Sequence, residues 1–596
     1  MFKRLRLFAP PRHAVLSLNV QAEAVTPDRI QNQFEVLVRH LIDRFVHNEL
    51  LTSDNETKRV MQVSYLVALP SLLVTLFLFP VYHAFPPAPF PRPYWPQVGD
   101  HYFYVMYSFL IMGAATVYEW DLLFPDLLDV FVLSVLPISA RRLFVARVLA
   151  LVIFLGLVLI GTSFLGTLFF PAVAELPHSG RHWLAHAVAV LMSGSFGAAA
   201  FLALQGVLLN VIGERIFRRI TPILQGGSIL LLLMVLLLYP TLSHSLQALL
   251  SSHIAAVRWF PPFWFLGIYQ RLLEGPSALP IFSQLARTGC IALMLTIAAV
   301  VVTYPLAYRR RVRQIVEGTG AIEAPRRTAA PLRRLLHAMV VRISAQRAVF
   351  HFISQTILRT QRQRVMLALF GGLALALALS SMVVLRIAAG TLHPSLLPYG
   401  IRAAVPIMAF WTVIALSSVA SSPIDRRGSW LFAVVIGRPA SGHLAGTRLW
   451  ISLWAMLASM LTALILHFFS PAAMRTPLVT AGQFLVAIGV SILLTHIRLF
   501  PVRTIPFTHL RTSSITDFPL IVVRYLIFYP FFVAAVVYQE SWIEATSLHL
   551  VETLLLLSAA HLLLQKAHDR TVQLETLDTP PEEGDAFLQR LGFRDT

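Results

Sequence analysis

Charge and cysteine are both scarce in this 596-residue chain. Asp, Glu, Lys and Arg make up 13% of it, whereas a soluble globular protein carries about 25% charged residues. The single cysteine, Cys290, excludes an intrachain disulfide and therefore a small secreted disulfide scaffold. With 57% hydrophobic residues and a mean hydropathy of +0.70, the chain is also too apolar to be disordered or soluble. These features predict an integral membrane protein.

A phosphate-binding loop is missing as well. A Walker A loop needs glycine, lysine and then serine or threonine, because its backbone amides and its lysine together neutralise the phosphates. The chain has three lysines, Lys3, Lys58 and Lys566, and none of them follows a glycine. We therefore expect no ATPase site of this type, no enzymatic activity and no bound cofactor in the chain itself.

Long apolar runs dominate what is present. A helix needs about 20 mostly apolar residues to cross the hydrocarbon core of a bilayer, and this length predicts an all-α polytopic protein with about twelve transmembrane helices. The candidate spans are 61–82, 102–119, 143–170, 183–211, 224–242, 285–308, 365–386, 402–421, 447–469, 477–497, 518–538 and 543–565.

Groups suited to ion or metal chemistry are few within these spans. Glu552 in the twelfth span is the one carboxylate expected at mid-depth, and Arg524 in the eleventh is its candidate partner. This scarcity argues against ion coupling. His182 and His186 have the helical spacing of metal ligands, but no third ligand is evident, so we expect no metal site.

The distribution of positive charge predicts how the chain is oriented in the membrane. Lys and Arg total 48 against 29 Asp and Glu, a net charge of +19. If the N-terminus lies inside, every Lys and Arg residue lies on the inner side except Arg524 and eight outer arginines. Those eight are Arg92, Arg181, Arg258, Arg271, Arg287, Arg386, Arg402 and Arg475. The positive-inside rule then predicts that both termini are cytoplasmic, and a nucleic-acid partner is unnecessary to explain the charge.

An amphipathic segment precedes each group of six spans. Thr26-Pro27-Asp28 is typical of a helix start, and the helix that follows places apolar residues from Ile30 to Phe45 on one face. A second such helix is predicted for 331–363, with Leu335, Leu336, Met339, Val340 and Ile343 on its apolar face. The chain thus divides into an N-terminal segment (1–60), a first six-span half (61–308), a linker (309–364), a second six-span half (365–566) and a C-terminal tail (567–596).

Similar inner loops follow the second span of each half. Glu119–Arg147 and Ser421–Arg448 are both charged, contain proline and end in an arginine at the start of the next span. Their matching positions predict two halves of the same architecture, related by an axis along the membrane normal.

The aromatic outer segment Trp259–Leu266 leaves two interpretations open. It is an interfacial aromatic belt, or a re-entrant structure that caps a translocation path.

The inner loop of the first half is the most informative segment. Its acidic start is followed by a Leu-Pro-Ile-Ser turn and then by arginines, and it is unusually apolar for a solvated loop, which indicates that it packs on something. The residues that carry this pattern are Glu119, Asp121, Phe124, Asp126, Asp129, Pro137, Arg141 and Arg142. In this segment, and in the plan of an amphipathic helix followed by six spans, the chain resembles the permeases of the ABC type-two exporter family.

The resemblance implies a division of labour between subunits. The segment from Asp121 to Asp129 would be a coupling helix seated in a cleft of a separate ABC ATPase, Pro137 its turn, and the helix after Pro27 the connecting helix. ATP and Mg²⁺ would be bound by that partner, two copies of which would serve one fused chain in a bacterial inner membrane. The second-half loop, with Asp425, Arg426 and Arg427, departs from the family pattern. The substrate, small or lipid-like, stays open.

Two other classes remain as alternatives. Asp425-Arg426-Arg427-Gly428 lies where transporters of the major facilitator type carry their second signature loop, although the leading glycine of that signature is absent. A membrane-embedded transferase would need acidic or histidine residues clustered at one face with a metal or an activated donor, and the single acidic cluster is the inner loop already described.

Overall fold

A computed structural model describes residues 27–46, 56–83, 92–120, 124, 130, 138–174, 179–212, 214–251, 258–316, 341, 343–388, 391–421, 441–500, 506–507 and 518–578. The first set of helices is α1 (Pro27–Val46), α2 (Glu56–Tyr82), α3 (Tyr94–Tyr118), α4 (Ala140–Ala174), α5 (Ser179–Val211), α6 (Glu214–Leu237), α7 (Tyr239–His244), α8 (Leu246–Ser251), α9 (Pro261–Glu274) and α10 (Pro280–Val316).

The second set contains a hairpin as well as helices. Its elements are α11 (Ser344–Arg359), α12 (Gln361–Met382), β1 (Val383–Ala388), β2 (Thr391–Leu396), α13 (Pro398–Ser421), α14 (Ser441–Phe469), α15 (Pro477–Leu499), α16 (Phe518–Ile543) and α17 (Ser547–Asp578).

The chain is a helical, multi-pass membrane protein. Among the described residues, seven helices are long and apolar enough to cross a bilayer: α4, α5, α10, α13, α14, α15 and α17. Shorter apolar stretches lie in α2, α6 and α12. Each predicted span overlaps a helix, but two differ from the prediction. The fifth, 224–242, is interrupted after Leu237, and the seventh, 365–386, ends as a helix at Met382.

The hairpin explains the early end of the seventh span. β1 and β2 are antiparallel, with Val383 opposite Leu396 and Ala388 opposite Thr391. The β-branched residues Val383, Val384 and Ile387 favour a strand over a helix, and hydropathy alone did not distinguish the two.

Two helices form the centres of the bundle. In α13, 83% of the most apolar 18-residue window is buried within the chain, against 11% in α10 and 6% in α17. Most of α3 is likewise buried. α3 packs on α4, α5 and α6, and α13 packs on α14, α15 and α16. The outer helices α10 and α17 contact α5 and α15, respectively, and leave most of their surface for lipid.

The first predicted amphipathic helix and the described part of the second, 344–359, dock on the bundle. Four residues of the second predicted apolar face, Leu335, Leu336, Met339 and Val340, lie outside the described residues. α1 begins at Pro27 as expected and packs on α4 through Leu37, Val38 and Leu41, while Arg39 on its other face is exposed. α11 packs on α14. The predicted apolar position Ile343 is 54% exposed, because it precedes the first turn of α11. The described inward face of α11 is formed by Val349, Phe350, Ile353 and Ile357.

The two sets of helices meet along α6 and α12. Small residues allow this approach: a Cβ added to Gly226 would lie 3.0 Å from the Cβ of Ala368, and one added to Gly372 would lie 3.4 Å from the backbone nitrogen of Leu230. Close backbone contact of this kind is typical of helix packing in membranes.

Candidate functional site

The predicted coupling segment leaves the C-terminal end of α3 inside a buried apolar cluster. The cluster joins α1, α3, α4, α5, α6 and α10 at their predicted inner ends. Its buried members include Leu37, Val38, Leu41, Val117, Trp120, Phe124, Ala146, Ala150, Leu151, Leu202, Leu209, Phe217, Tyr304 and Tyr308. The start of the segment is therefore packed within the bundle and does not project from it into solvent.

Hydrogen bonds tether the same stretch to three neighbouring helices. Gln205 of α5 donates from Nε2 to the carbonyl oxygen of Trp120 at 2.7 Å, and Gln225 of α6 donates to that of Val117 at 3.2 Å. Arg147 of α4 donates from Nη2 to the carbonyl oxygen of Phe124 at 2.6 Å. Trp120 and Phe124 lie beyond the end of α3 at Tyr118, where no helix supplies donors to their carbonyl oxygens, so these side chains stabilise the exit of the chain from α3.

Aromatic contacts complete the attachment. The Phe124 ring lies 5.1 Å from that of Tyr304 in α10, and the Trp120 ring lies 6.3 Å from that of Phe217 in α6. Glu119 and Phe124 are both buried. The side chains of these two predicted site residues are therefore packed within the bundle and do not face solvent.

Arg141 and Arg142, in contrast, are exposed in the first turn of α4. The backbone amide of Arg142 donates to Oγ of Ser139 at 3.4 Å, which places Ser139 as the cap of this helix. Positive side chains oppose the dipole at a helix N-terminus. Helix stability therefore does not explain the two arginines, whereas the positive-inside rule or an acidic partner would.

Several predicted residues lie outside the described chain. They are Asp121, Asp126, Asp129 and Pro137 of the first inner loop and Asp425, Arg426 and Arg427 of the second.

The pairing of Arg524 with Glu552 stays a prediction, because the side chain of Arg524 lies outside the described part of the structure. Gln539 of α16 donates to Oγ1 of Thr553 in α17 at 3.0 Å, so Glu552 lies beside the end of α16. Arg524 is fifteen residues earlier in α16, which corresponds to about 22 Å along a helix axis.

In the described part of the chain, other carboxylates at the predicted outer helix ends form ion pairs. Arg402 of α13 forms a bidentate ion pair with Glu544, the closest contact being 2.7 Å from Nη2 to Oε2. Arg92 pairs with Asp100 of α3 at 2.8 Å. Glu540, one turn before Glu544, is 0% exposed. The predicted spans ended at 538 and began at 102 and therefore left out Glu540 and Asp100; the spacing of Glu540 and Glu544 was the available signal.

The aromatic outer segment forms a helix within the bundle. Residues 262–270 of α9 are all buried, whereas Trp259 just before it is exposed. α9 runs antiparallel to the start of α10, because Gly267 packs on Phe282 near that start and Trp264 packs on Gly289 further along. A helix that lies beside the first ten residues of α10 reaches about 15 Å along it, which favours the re-entrant interpretation over the belt.

The C-terminal end of α9 is joined to α3 outside the spans. Tyr94 Oη donates to Oε1 of Glu274 at 2.9 Å. Burial raises the pKa of the Glu274 carboxyl above its ordinary value, and the hydrogen bond from Tyr94 partly offsets this. Burial likewise raises the pKa of the Tyr94 hydroxyl. The contact therefore keeps its proton on Tyr94 at neutral pH.

Within the part of the chain that the structure describes, no three His, Cys, Asp or Glu side chains are arranged to hold a metal ion. Comparisons with known protein families, with curated proteins and with solved structures find nothing that matches this chain.

Proposed function

We propose that this chain is the transmembrane permease subunit of an ATP-driven exporter of the ABC type, coupled through its cytoplasmic loops to a separate ATPase. The observation that carries the proposal is the attachment of the predicted coupling segment. Trp120 and Phe124 are fixed to α4, α5, α6 and α10 at the point where the chain leaves the central helix α3. A force applied to the segment would reach most of the first half of the bundle.

The plan of two halves is supported by matched packing. α1 packs on α4 as α11 packs on α14, α3 packs on α5 as α13 packs on α15, and α5 packs on α10 as α15 packs on α17. We propose that α2 to α6 and α10 are the six spans of the first half, and that α12 to α17 are those of the second. The helices α2 and α12 depart from the match, since α2 packs mainly on α4 and α12 on α13 and α6.

The division of labour follows from the missing phosphate loop. Two copies of an ABC ATPase would bind ATP and Mg²⁺, seat the segment from Asp121 to Asp129, and rock the two halves about the contact between α6 and α12. Both termini would be cytoplasmic in a bacterial inner membrane, with transport directed outward. The apolar spans suit a lipid-like or amphipathic substrate.

Charge reversal in the predicted coupling segment tests this function. The double variant Asp126→Lys, Asp129→Lys is expected to lose ATPase association while it inserts normally, because both substitutions reverse charge on the predicted docking surface. Glu35→Lys is the matched control, since Glu35 is an exposed carboxylate on α1 outside the segment. Association that survives the double variant, or is lost equally in the control, would contradict the docking role.

A second candidate is an ion-coupled transporter of the major facilitator type. The observation in its favour is Glu540, a fully buried carboxylate near Gln483 and Arg402, in a helix that faces α13 and α15. Buried carboxylates of this kind carry protons in secondary transporters. Transport in vesicles without any ATPase, abolished by a proton uncoupler and by Glu540→Gln, would favour this candidate.

A further inference from the structure

Three buried histidines surround one tyrosine at the predicted outer end of the first half. His101 lies near the start of α3, His182 and His186 near the start of α5, and Tyr269 in α9. Each of the three histidines is 2% exposed or less, and Tyr269 is fully buried. We call His101, His182, His186, Tyr269 and Gln270 the imidazole cluster.

The three histidines contact two polar side chains of α9, Tyr269 and Gln270. Nε2 of His182 lies 2.8 Å and Nδ1 of His186 lies 3.1 Å from the hydroxyl oxygen of Tyr269. Gln270 Nε2 lies 2.8 Å from Nδ1 of His101, whose ring stacks on Tyr269 at 4.3 Å. Both polar residues in the buried part of α9 are therefore used to bind it to α3 and α5.

One hydroxyl shared by two imidazoles fixes their protonation. Tyr269 donates its proton to one ring nitrogen, and the other ring must then donate its own N–H to the tyrosine oxygen. Neutral rings satisfy this arrangement. An additional proton would go to the far nitrogen of the ring that already donates to Tyr269, Nδ1 of His182 or Nε2 of His186. Both of these nitrogens are buried and neither has a hydrogen-bond partner, so the new N–H and its charge would be buried unpaired.

The surroundings offer little to neutralise a positive charge. The Phe170 ring lies 5.8 Å from the rings of His101 and His182 and 5.6 Å from that of His186. The charged and titratable groups around the cluster are Tyr82 of α2, Arg92, Asp100 and Tyr104 at α3, and Tyr239 of α7.

Most of these groups have other partners. Asp100 accepts hydrogen bonds from Arg92 and from Tyr82, and the Tyr104 hydroxyl lies 2.6 Å from that of Thr75. Tyr239 donates to the carbonyl oxygen of Gly99. A charged imidazole in the cluster would therefore be buried without a dedicated counter-ion, which costs several kcal/mol in general.

We propose that the imidazole cluster is a proton-operated latch for α9. Neutral imidazoles keep the helix seated among α3, α5 and α10, and proton uptake from the outer solution releases it. The arrangement does not have the geometry of a metal site. The latch depends on these contacts alone, so it stands whether transport is driven by ATP or by ions.

The expected pH range follows from imidazole chemistry. A solvated histidine takes up a proton near pH 6.5. If the released state binds one proton that the seated state excludes, the ratio of seated to released molecules is constant at high pH and falls tenfold per unit below that value. Between pH 7.5 and pH 5.5 the ratio is expected to fall about tenfold.

Amide hydrogen exchange of the unmodified full-length chain in lipid nanodiscs, where both faces meet the buffer, measures this directly. After correction for the intrinsic pH dependence of exchange, protection of residues 261–274 is expected to be about tenfold lower at pH 5.5 than at pH 7.5. Peptides from α13 serve as the internal control and should not change. Equal protection of α9 at the two pH values would overturn the latch.

Non-titrating substitutions identify the groups responsible. Asparagine places its amide near Nδ1 of histidine and glutamine near Nε2, so His101→Asn, His182→Gln and His186→Asn retain the observed contacts. This triple variant should lose the pH dependence of α9 protection, and a variant that keeps it would refute the proposal. Tyr269→Phe, a smaller change, should lower the protection of α9 at pH 7.5; unchanged protection would equally count against the latch.

Discussion

Phe124 is expected to anchor the predicted coupling segment, and its removal should release the segment without unfolding the bundle. The side chain is buried against Tyr304, and its backbone oxygen accepts from Arg147. Truncation of a buried phenylalanine to alanine costs about 3–5 kcal/mol. At the lower limit of about 3 kcal/mol, local opening would become roughly a hundredfold more frequent.

A cysteine at Val130, which is buried six residues further along the chain, reports on this opening. In a Cys290→Ser background, Phe124→Ala is expected to raise the labelling rate of Val130→Cys by up to about a hundredfold. Phe124→Leu, which retains most of the apolar volume, should raise it about fivefold. Ser139→Cys, at an exposed position, is the control. Equal labelling of Val130→Cys with and without Phe124 would refute the anchoring role.

Three further predictions concern the protein in detergent; the first two are measured by thermal unfolding and the third by proteolysis. Gly226→Leu should separate α6 from α12 and lower the unfolding temperature, whereas Gly227→Ala should not, because nothing lies within 4 Å of a Cβ at Gly227. Arg402→Met should destabilise by about 1–2 kcal/mol, and adding Glu544→Met should restore part of that loss because the unpaired carboxylate is removed; no recovery would contradict the pairing. Leu41→Asp should detach α1 from α4, detected as faster proteolysis of α1, and unchanged proteolysis would argue against its docking.

The sequence predicted the elements whose local pattern agrees with their packing. The start at Pro27 and the apolar face of α1 were predictable because a helix cap and a 3.6-residue period describe the same surface that the bundle buries. The apolar runs also located the helices, since lipid and a protein core both select hydrophobic side chains.

Features that depend on helix ends were not predictable in the same way. Hydropathy continues from Met382 into Val383 and Val384, although the backbone changes there from helix to strand. Conversely, α16 continues past residue 538 to Ile543, which brings the polar residue Glu540 into a buried position. A hydropathy window registers the polar residue and ends the span, whereas the helix itself is continued by its backbone hydrogen bonds.

The pairing of side chains between distant helices requires the depth of each residue, which spacing does not provide. Arg524 and Glu552 were paired because their spans are adjacent, whereas the contact between Gln539 and Thr553 places Glu552 beside the last turns of α16. The sequence predicted only part of the imidazole cluster. The spacing of His182 and His186 indicated a shared helix face, but their proximity to His101 and Tyr269 was not predictable, because those residues come from α3 and α9.

The central claim is that this chain works with a separate ATPase, and the mass of the complex isolated intact from its own membrane tests it most directly. Native mass spectrometry after mild extraction is expected to show one 66.5 kDa chain with two copies of a nucleotide-binding subunit. A particle that contains this chain without any ATP-binding subunit, and that still transports substrate in response to a proton gradient, would contradict it.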